Sequence, residues 1–457
     1  MNITLIFAAR YNEPIRAIIH TPPAGINILA ALVPPDSNVK VIDMLAGDRV
    51  NFEEKTDLVG ISVRTPIANI AYKIADNYQK RGIAVVLGGP HASALPLDAA
   101  KHADAVVVGE AETTWPKLLE DFRNNRLNKF YVSGPLRFDP GKESIYHEPE
   151  FPALENIPIQ RRDILPQRRY KMDTMFTTRG CPHQCVFCPV PTQFGKKLRH
   201  RPINDVVREV DKLKSRYFNL DDNIFGIPGE EDYYIDLFSK LAELKRKRLW
   251  LGQAGLSALE SSKGLDVLKK AVGCGLASVS IGIESISNDG LTESGAGKKV
   301  SASTADQSLQ KTKEKIKILQ DHGVFVVGWF VIGWDSDDKE AYARSLEFAE
   351  QTNIAPVITN LSPLPGTRCY NNFLKSGKLK SNGTWDDYGI ADNHIAFIHP
   401  SISEEDMISC RKDAMARGYS FRNRLNRSIT FSRGHLGVKG FVLSMLSQRG
   451  MKQAFGG

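Results

Sequence analysis

The sequence predicts an α/β protein with two parallel sheets and a small basic extension at the C-terminus. Three observations indicate this fold class. Short apolar runs alternate with helical stretches up to about residue 135, a proline-rich segment then interrupts them, and the alternation resumes at residue 174. Because strands that alternate with helices form parallel sheets, we expect domains at residues 1–135 and 174–400. A linker at 136–173 and a basic extension at 401–457 complete the predicted organisation.

The first predicted domain is flavodoxin-like (Rossmann-type), with helices on both faces of an open sheet. Its apolar runs predict strands, and the longer amphipathic stretches between or after them predict helices. The predicted strands are Ile3–Ala8, Val39–Ile42, Leu58–Val63, Ala84–Leu87 and Ala105–Val108, and the predicted helices are Ile26–Leu32, Ile67–Lys80 and Thr113–Phe122. Ligands of such sheets bind at the carboxyl ends of the strands.

Those strand ends carry residues suited to holding a ligand. They are Ser62 and Thr65 at the third strand, Gly88, Gly89, Pro90 and His91 after the fourth, and Glu110 after the fifth. Glycines at such positions allow positive φ angles and a close approach of the backbone. We therefore expect a ligand at this edge of the sheet, and a purely structural sheet domain is the alternative.

The second predicted domain is a partial (βα)6 TIM-like barrel, more open than an eight-fold barrel. The predicted strands are Met175–Thr178, Tyr217–Leu220, Leu249–Ala254, Ser278–Ile283, Phe325–Ile332 and Val357–Leu361. The predicted helices are Ile203–Lys214, Asp232–Lys245, Gly264–Val272, Ala305–Gln320 and Lys339–Gln351. In barrel enzymes the carboxyl ends of the strands converge on one active site.

Three cysteines follow the first barrel strand with the spacing C-x3-C-x2-C: Cys181, Cys185 and Cys188. Three thiolates can bind three irons of a 4Fe–4S cluster and leave the fourth iron open. A zinc site is the alternative, with His183 or His200 as the only nearby candidates for a fourth ligand. A disulfide framework is disfavoured, because six cysteines in 457 residues and a start without a secretory pattern fit a reducing compartment.

At these residues the sequence resembles the radical S-adenosylmethionine (radical SAM) superfamily, whose motif is C-x3-C-x-aromatic-C, with Phe187 in the aromatic position. The resemblance implies that the open iron binds S-adenosylmethionine and that an electron from a flavodoxin or ferredoxin releases a 5'-deoxyadenosyl radical. It also implies contacts to S-adenosylmethionine from Phe187, from Asp222 (amino group), from Gln253 and Ser257 (carboxylate or ribose) and from Glu284 (ribose). For each of these polar residues the alternative is helix capping at a βα turn.

The first domain resembles the cobalamin-binding domain that precedes the barrel in one branch of this superfamily. The resemblance rests on Pro22–Ala31, Gly88–Ala92 and Val108–Glu112. It implies that the strand-end residues of this domain contact cobalamin, namely Ser62, Thr65, Gly88, Gly89, Pro90, His91 and Glu110. Leu45 stands where related domains with Asp-x-His-x-x-Gly carry the histidine that ligates cobalt, so we expect no histidine ligand from this loop. His91 is expected to cap a helix or pack rather than to replace that ligand.

These cofactors imply an enzyme that methylates an unactivated carbon atom through methylcobalamin and a 5'-deoxyadenosyl radical. Radical cyclisation or oxidative rearrangement with the same cofactors is one alternative. A cobalamin or redox sensor that uses the cluster as a switch is another. The expected substrate is a small molecule: a lipid, a tetrapyrrole or, as an equally open alternative, a natural-product intermediate.

The charge pattern bears on partners. The net charge is +8, and residues 414–457 carry eight basic residues and no acidic one. The short apolar run Phe441–Leu446 within this stretch favours contact with a membrane surface, and a solvated, partly disordered tail is the alternative. No nucleic-acid module is recognisable, and no apolar run reaches the length of a membrane span. We therefore expect a cytoplasmic protein, with peripheral membrane contact through the C-terminus.

Overall fold

The computed structural model describes residues 1–10, 21–134, 136–139, 144–147, 151–166, 169–225, 227–297, 305–389 and 394–455. It contains two six-stranded sheets in which every pair of neighbouring strands is parallel. The predicted α/β fold class is therefore confirmed. None of the described helices combines the length and the apolar composition needed to cross a bilayer.

The N-terminal sheet has the strand order β2-β1-β3-β4-β5-β6. Its strands are β1 (Asn2–Phe7), β2 (Asn38–Asp43), β3 (Leu58–Ser62), β4 (Ala84–Gly88), β5 (Ala105–Val108) and β6 (Phe130–Val132). All four residues of β5 are buried, as expected for a parallel strand covered on both faces. The short edge strand β6 was not predicted, because three residues carry too little periodicity to mark a strand.

In the described part of this domain, the sheet is accompanied by the α-helices α1 (Ala24–Ala31), α2 (Ala68–Gln79), α3 (Pro90–Ala94), α4 (Pro96–Ala99) and α5 (Thr114–Arg123). The predicted helix Ile67–Lys80 corresponds to α2, which begins one residue later because Ile67 belongs to a 3-10 turn at Thr65–Ile67. Pro66 lies in this turn, near a helix start, where the missing amide proton costs nothing.

The segment between the domains contacts both of them. It contains the hairpin β7 (Leu136–Asp139) and β8 (Ser144–His147). Leu165 packs in the core of the N-terminal sheet, and Leu154 packs with Ile28 and Phe176, which belong to different domains. The linker is therefore built into the junction between the two domains.

The second sheet has the strand order β16-β15-β14-β13-β12-β9, which is the predicted partial barrel. Its strands are β9 (Asp173–Met175), β12 (Tyr217–Phe225), β13 (Leu249–Ala254), β14 (Leu276–Glu284), β15 (Phe325–Ile332) and β16 (Ala355–Asn360), and β10 (Thr178–Arg179) pairs separately with β11 (Arg199–His200). The helices are α6 (Val190–Phe194), α7 (Ile203–Lys212), α8 (Glu231–Glu243), α9 (Ser262–Gly273), α10 (Asn288–Ser294), α11 (Ala305–Asp321), α12 (Ala341–Gln351) and α13 (Arg368–Lys375).

The C-terminal extension is helical and packs against the barrel, so the disordered-tail alternative does not hold for residues 404–455. It consists of α14 (Glu404–Gly418), α15 (Phe421–Ser432) and α16 (Gly437–Phe455). Asn353 Nδ2 donates to Thr430 Oγ1 over 2.8 Å, and the Tyr419 hydroxyl donates to the carbonyl of Pro356 over 2.8 Å. Since Asn353 and Pro356 lie at the start of β16, these helices close the amino end of the barrel, opposite the strand ends that carry the site.

Candidate active site between two cavities

The cysteine loop follows β9 and β10 at the carboxyl end of the barrel. Gly180, just before Cys181, has a φ angle of 99°, and a Cβ atom there would overlap the carbonyl oxygen of Lys197. A side chain at position 180 is therefore excluded. Cys181 and Cys185 are buried and Cys188 is half-buried, and the Cys181 amide donates to the carbonyl of Gly195 over 3.0 Å.

The three cysteine side chains fit a cluster better than a single ion. Together with His183 they line one cavity. Within the described ranges, no three His, Cys, Asp or Glu side chains converge as ligands of one metal ion. In a cubane cluster each thiolate binds a different iron, so its three sulfur ligands need not converge on one point. His200, the other candidate zinc ligand, lies 3.0 Å from a carboxylate oxygen of Glu230.

This first cavity has a volume of about 440 Å³ and lies at the carboxyl ends of β13, β14, β15 and β16. Three of the residues predicted to contact S-adenosylmethionine line it: Phe187, Gln253 and Glu284. The Phe187 ring centroid lies 5.8 Å from that of Trp334. The cysteines and the strand-end polar groups therefore share one cavity, as S-adenosylmethionine bound to the open iron requires.

Glu284 has an unusual backbone for its residue type. It ends β14 with a φ angle of 66°, in the left-handed region, and only 6% of it is exposed. A non-glycine residue in this region costs about 1–2 kcal/mol, and such strain concentrates at functional sites. The register of β14 against β15 also shifts between Gly282 and Glu284. These features direct the Glu284 side chain into the cavity.

Asp222 and Ser257 do not line the first cavity. The Asp222 carboxylate accepts hydrogen bonds from the amides of Thr177 (2.5 Å) and Thr178 (2.8 Å), and also from the Thr177 hydroxyl. Burial raises the pKa of Asp222 to about 7. Asp222 thus fixes the backbone that leads into the cysteine loop, and the predicted contact to the amino group of S-adenosylmethionine gains no support from this placement. Ser257 lies in the 3-10 helix Leu256–Glu260.

A second cavity, also about 440 Å³, lies at the carboxyl edge of the N-terminal sheet. Five of the residues predicted to contact cobalamin line it: Ser62, Gly88, Gly89, Pro90 and Glu110. Gly89 has a φ angle of 95°, and a Cβ atom there would lie 3.0 Å from the amide nitrogen of Val63. A tight turn of bare backbone therefore borders this cavity.

Leu45 also lines the second cavity, and no histidine is present among the described residues of the lining. That the loop supplies no histidine ligand to cobalt stays a prediction. The open volume at the strand ends, the glycine turn and the apolar Leu45 suit a large, largely flat cofactor such as cobalamin.

Thr65 and His91 are not among the residues that line the second cavity. The side chains of these two residues approach each other, with 3.3 Å between His91 Nδ1 and Thr65 Oγ1. The His91 ring is fully buried and packs edge-on against Trp385 from the barrel domain, with 4.8 Å between the ring centroids. His91 therefore packs between the domains, which was the expected alternative to a cofactor contact.

Glu110 connects the second cavity to the cysteine loop. Its carboxylate accepts a hydrogen bond from Arg179 Nη1 over 2.7 Å and is also paired with Arg199. Arg179 is paired in addition with Glu112. Because Arg179 stands two residues before Cys181, this buried network ties the N-terminal domain to the start of the cysteine loop.

Several polar residues at the two cavities were not predicted from the sequence. They are Ser280, Ser285, Ser308, Thr312, Asn360 and Ser362 at the first cavity, and Arg64 and Asp221 at the second. Ser280, Asn360 and Asp221 lie on strands, whose alternation could have placed them inward. For Ser308 and Thr312 no signal was available, because only the packing of α11 brings them to the cavity.

Comparisons with known proteins agree with this geometry. Residues 175–349 match the Radical SAM superfamily and residues 19–119 match the B12 binding domain. An uncharacterised methyltransferase of Pyrococcus horikoshii is 30% identical, and the match covers 83% of this chain and 84% of that protein. The chain belongs to the radical SAM superfamily. It is a member of the branch with an N-terminal cobalamin-binding domain.

Two further relatives define the type of enzyme and the fold. Bacteriochlorophyllide d C-8(2)-methyltransferase of Chlorobaculum tepidum is 29% identical, with 80% of this chain and 78% of that protein covered. The cobalamin-dependent radical enzyme OxsB has the same fold, with a TM-score of 0.69 and 15% identity over 94% of this chain and 71% of that chain. This radical SAM protein is thus a cobalamin-dependent C-methyltransferase that uses a 4Fe–4S cluster, S-adenosylmethionine and cobalamin.

Proposed function

We propose that this radical SAM protein methylates an unactivated carbon atom of a tetrapyrrole, at a point between its two cavities. The observation that carries the proposal is that the segment from Cys188 to Phe194 lines both cavities. Cys188, Pro189, Val190 and Pro191 line the first cavity, whereas Phe194 lines the second. One short segment thus contributes to the lining of both cavities, and the substrate in this proposal lies beside it.

The chain's own residues bind, orient and shield in this proposal. Cys181, Cys185 and Cys188 hold the cluster, Glu284 and Gln253 bind S-adenosylmethionine, and the glycine turn at Gly89 borders cobalamin. When bound, the cluster and S-adenosylmethionine supply a radical that removes a hydrogen atom from the substrate, and methylcobalamin supplies the methyl group that replaces it. The reducing electron comes from a flavodoxin or ferredoxin. No acid–base pair is needed, since both bond changes are homolytic.

The lining of the first cavity favours an apolar substrate. Beyond the cysteines it is formed largely by apolar side chains, including Leu256, Ile281, Leu309, Trp329 and Val331. Such a surface stabilises a hydrophobic ring system through burial. The relative from Chlorobaculum tepidum acts, by its name, on bacteriochlorophyllide d, which supports the tetrapyrrole over the lipid.

The test is anaerobic turnover of the reconstituted protein with S-adenosylmethionine, hydroxocobalamin and a reductant. We expect 5'-deoxyadenosine and a product with one methyl group in place of a hydrogen atom, a net gain of CH2, from a bacteriochlorophyllide, and no methylated product from a polycyclic triterpene. A label on the methyl group of S-adenosylmethionine should appear in the product. A product without added mass would instead indicate cyclisation or rearrangement, and absence of 5'-deoxyadenosine with every substrate would favour the sensor.

We propose further that the hairpin of α15 and α16 contacts an anionic membrane surface. Val438, Val442 and Leu446 recur every four residues along α16 and are 80%, 49% and 62% exposed, so they form one apolar stripe. Lys439 and Arg449 are exposed beside the stripe, and residues 414–457 contain no acid to offset them. A helix with an apolar face and basic flanks suits anionic lipid headgroups.

Flotation with vesicles tests the membrane contact. We expect the wild-type protein to float with phosphatidylglycerol-containing vesicles but not with pure phosphatidylcholine, and Val442→Glu/Leu446→Glu to abolish flotation. Ile398→Glu is the matched control, because Ile398 is an exposed apolar residue, at 60%, outside the hairpin. Sedimentation as a dimer that the double variant disrupts, without binding of vesicles, would assign the stripe to a second copy of the chain and contradict the proposal.

A further inference from the structure

Asp221 and Asp222 are neighbours in sequence, but they lie in different environments. Asp222 is buried against Thr177 and Thr178, whereas Asp221 lines the second cavity. The pairing of β12 with β13 is irregular between Asn219 and Asn223, so both aspartates lie in a distorted part of the strand. Irregularities of this kind redirect side chains next to active sites.

Part of the Asp221 side chain is accessible to solvent, although protein atoms surround most of the carboxylate. Its side chain is exposed, yet burial raises the pKa of its carboxyl group. These two properties are compatible if the exposed surface faces an enclosed cavity rather than bulk solvent, and Asp221 does line the second cavity. The carboxylate is therefore desolvated on the protein side and open on the cavity side.

Few protein groups satisfy this carboxylate. Asn219 Nδ2 donates one hydrogen bond to it over 2.9 Å, and the Thr174 side chain is a second donor beside it. No cation of the described residues contributes to its electrostatic environment. A carboxylate has about four lone-pair positions for donors, so two neutral donors leave positions available on the cavity side. A buried, unpaired carboxylate is costly unless a donor completes its surroundings.

The other barrel residues of the second cavity supply no comparable acceptor. Besides Asp221 they are Thr174, Arg179 and Phe194. Arg179 is neutralised by Glu110 and Glu112, and Phe194 is apolar. Asp221 is therefore the barrel group in the described lining that can accept a strong hydrogen bond from a ligand held by the N-terminal sheet.

We propose that Asp221 is a cobalamin-binding residue, which accepts a hydrogen bond from a side-chain amide of the corrin ring on the face turned toward the barrel. The corrin ring carries primary amides around its edge, and these donate N–H groups. A carboxylate is their strongest acceptor in proteins. The N-terminal sheet would then hold the cofactor from one side, and Asp221 would fix its position relative to the barrel.

The test measures binding of hydroxocobalamin and of S-adenosylmethionine to the same cluster-reconstituted full-length protein. We expect Asp221→Leu to weaken the binding of hydroxocobalamin about ten- to hundredfold, the loss typical of a hydrogen bond to a charged group. Asp221→Asn keeps an acceptor without the charge, so its affinity for hydroxocobalamin should fall less. Affinity for S-adenosylmethionine should stay unchanged, because Asp221 does not line the first cavity. Asp211→Leu, an exposed position on α7, is the control.

Three results would overturn the assignment. Unchanged hydroxocobalamin affinity in Asp221→Leu would show that no such bond forms. Unchanged affinity with altered product formation would assign Asp221 to the substrate instead. An equal loss of S-adenosylmethionine binding in Asp221→Asn would assign it to the fold. Because these measurements use binding and not turnover, their outcome is separate from the success or failure of the proposed methylation.

Discussion

Arg179 Nη1 lies 2.7 Å from Glu110 Oε2, and this ion pair joins the cobalamin-binding domain to the loop that carries the cluster cysteines. The side chains of both residues are nearly excluded from solvent, at 11% and 2% exposure. Glu110 was predicted to contact cobalamin. It does line the second cavity, and its carboxylate is also engaged by Arg179 and Arg199 of the barrel, so the contact to cobalamin stays a prediction.

Removal of one partner of this pair should destabilise the protein strongly. We expect Arg179→Met to lower the free energy of unfolding by about 3–5 kcal/mol, because it leaves the buried Glu112 without its paired arginine and Glu110 with Arg199 alone. Urea denaturation of the apoprotein measures this loss. The double variant Glu110→Gln/Arg179→Met should lose less free energy of unfolding than the two single variants lose together, since it removes both charges of the pair.

The surface pair of Arg123 and Asp36 provides the control. Its atoms are 2.8 Å apart, but the side chains are 44% and 66% exposed, and exposed pairs contribute about 0–1 kcal/mol. Arg123→Met should therefore change stability little. Equal losses in Arg123→Met and Arg179→Met would contradict the assignment of the buried pair as the connection between the domains.

The second prediction concerns the binding of S-adenosylmethionine by Glu284. We expect Glu284→Gln to weaken this binding about tenfold or more in the cluster-containing protein, since a hydrogen bond to a charged group contributes about 1.5–3 kcal/mol. Equilibrium dialysis with labelled S-adenosylmethionine measures the effect. Ser257→Ala should leave the affinity unchanged, because Ser257 lies outside the cavity lining.

The backbone of Glu284 separates binding from stability. At a φ angle of 66°, glycine carries no steric cost, so Glu284→Gly should keep or raise the free energy of unfolding while it weakens binding of S-adenosylmethionine. If Glu284 merely supported the fold, Glu284→Gly would lower both the free energy of unfolding and the affinity for S-adenosylmethionine. Loss of stability in Glu284→Gly without loss of affinity would therefore show that the strained geometry does not serve the ligand.

The sequence was sufficient to predict both sheets and the residues at the strand ends, because buried parallel strands produce continuous apolar runs. It favoured Asp222 over its neighbour Asp221 as the ligand contact, but Asp221 lines a cavity and Asp222 does not. The irregularity in β12 at these residues depends on pairing with β13, which the sequence does not show. It also did not reveal the surroundings of His91. That residue is covered by Trp385, which is remote in sequence, and only the packed domains bring the two rings together.

The third prediction follows from the raised pKa of Asp222. Burial raises this pKa to about 7, above the ordinary value of 3.8. Between these two values the folded state keeps the proton that the unfolded state has lost, so stability from this group is present below about pH 4 and falls as the pH rises to 7. The expected loss is at most about 4 kcal/mol, since one pKa unit corresponds to about 1.4 kcal/mol.

Asp222→Asn isolates this contribution, because asparagine keeps an acceptor for the amides of Thr177 and Thr178 but does not titrate in this range. We expect the difference in unfolding free energy between variant and wild type to shift in favour of the variant from pH 4 to pH 7. Urea denaturation of the apoprotein at several pH values measures it. A difference that does not vary with pH would mean that Asp222 is ionised in the folded protein throughout.

The last prediction concerns Arg427, which belongs to the basic stretch but lies inside the C-terminal helices. Its guanidinium donates to Gln448 Oε1 over 2.6 Å, to the carbonyl of Gly418 over 2.6 Å and to that of Ile354 over 3.3 Å. Burial lowers its pKa to about 10. Because these acceptors come from α14, α16 and the start of β16, Arg427 joins the helices to the closed end of the barrel.

We expect Arg427→Met to lower the free energy of unfolding by about 3 kcal/mol, since it leaves several buried acceptors without a donor. Arg422→Met is the matched control, because Arg422 is exposed on the same helix, and such surface changes stay within about 0.5 kcal/mol. Urea denaturation compares the two variants. If the free energy of unfolding fell equally little in the two variants, Arg427 would not anchor α15. The helices would then close the barrel through apolar contacts alone, such as Phe431 against Phe325.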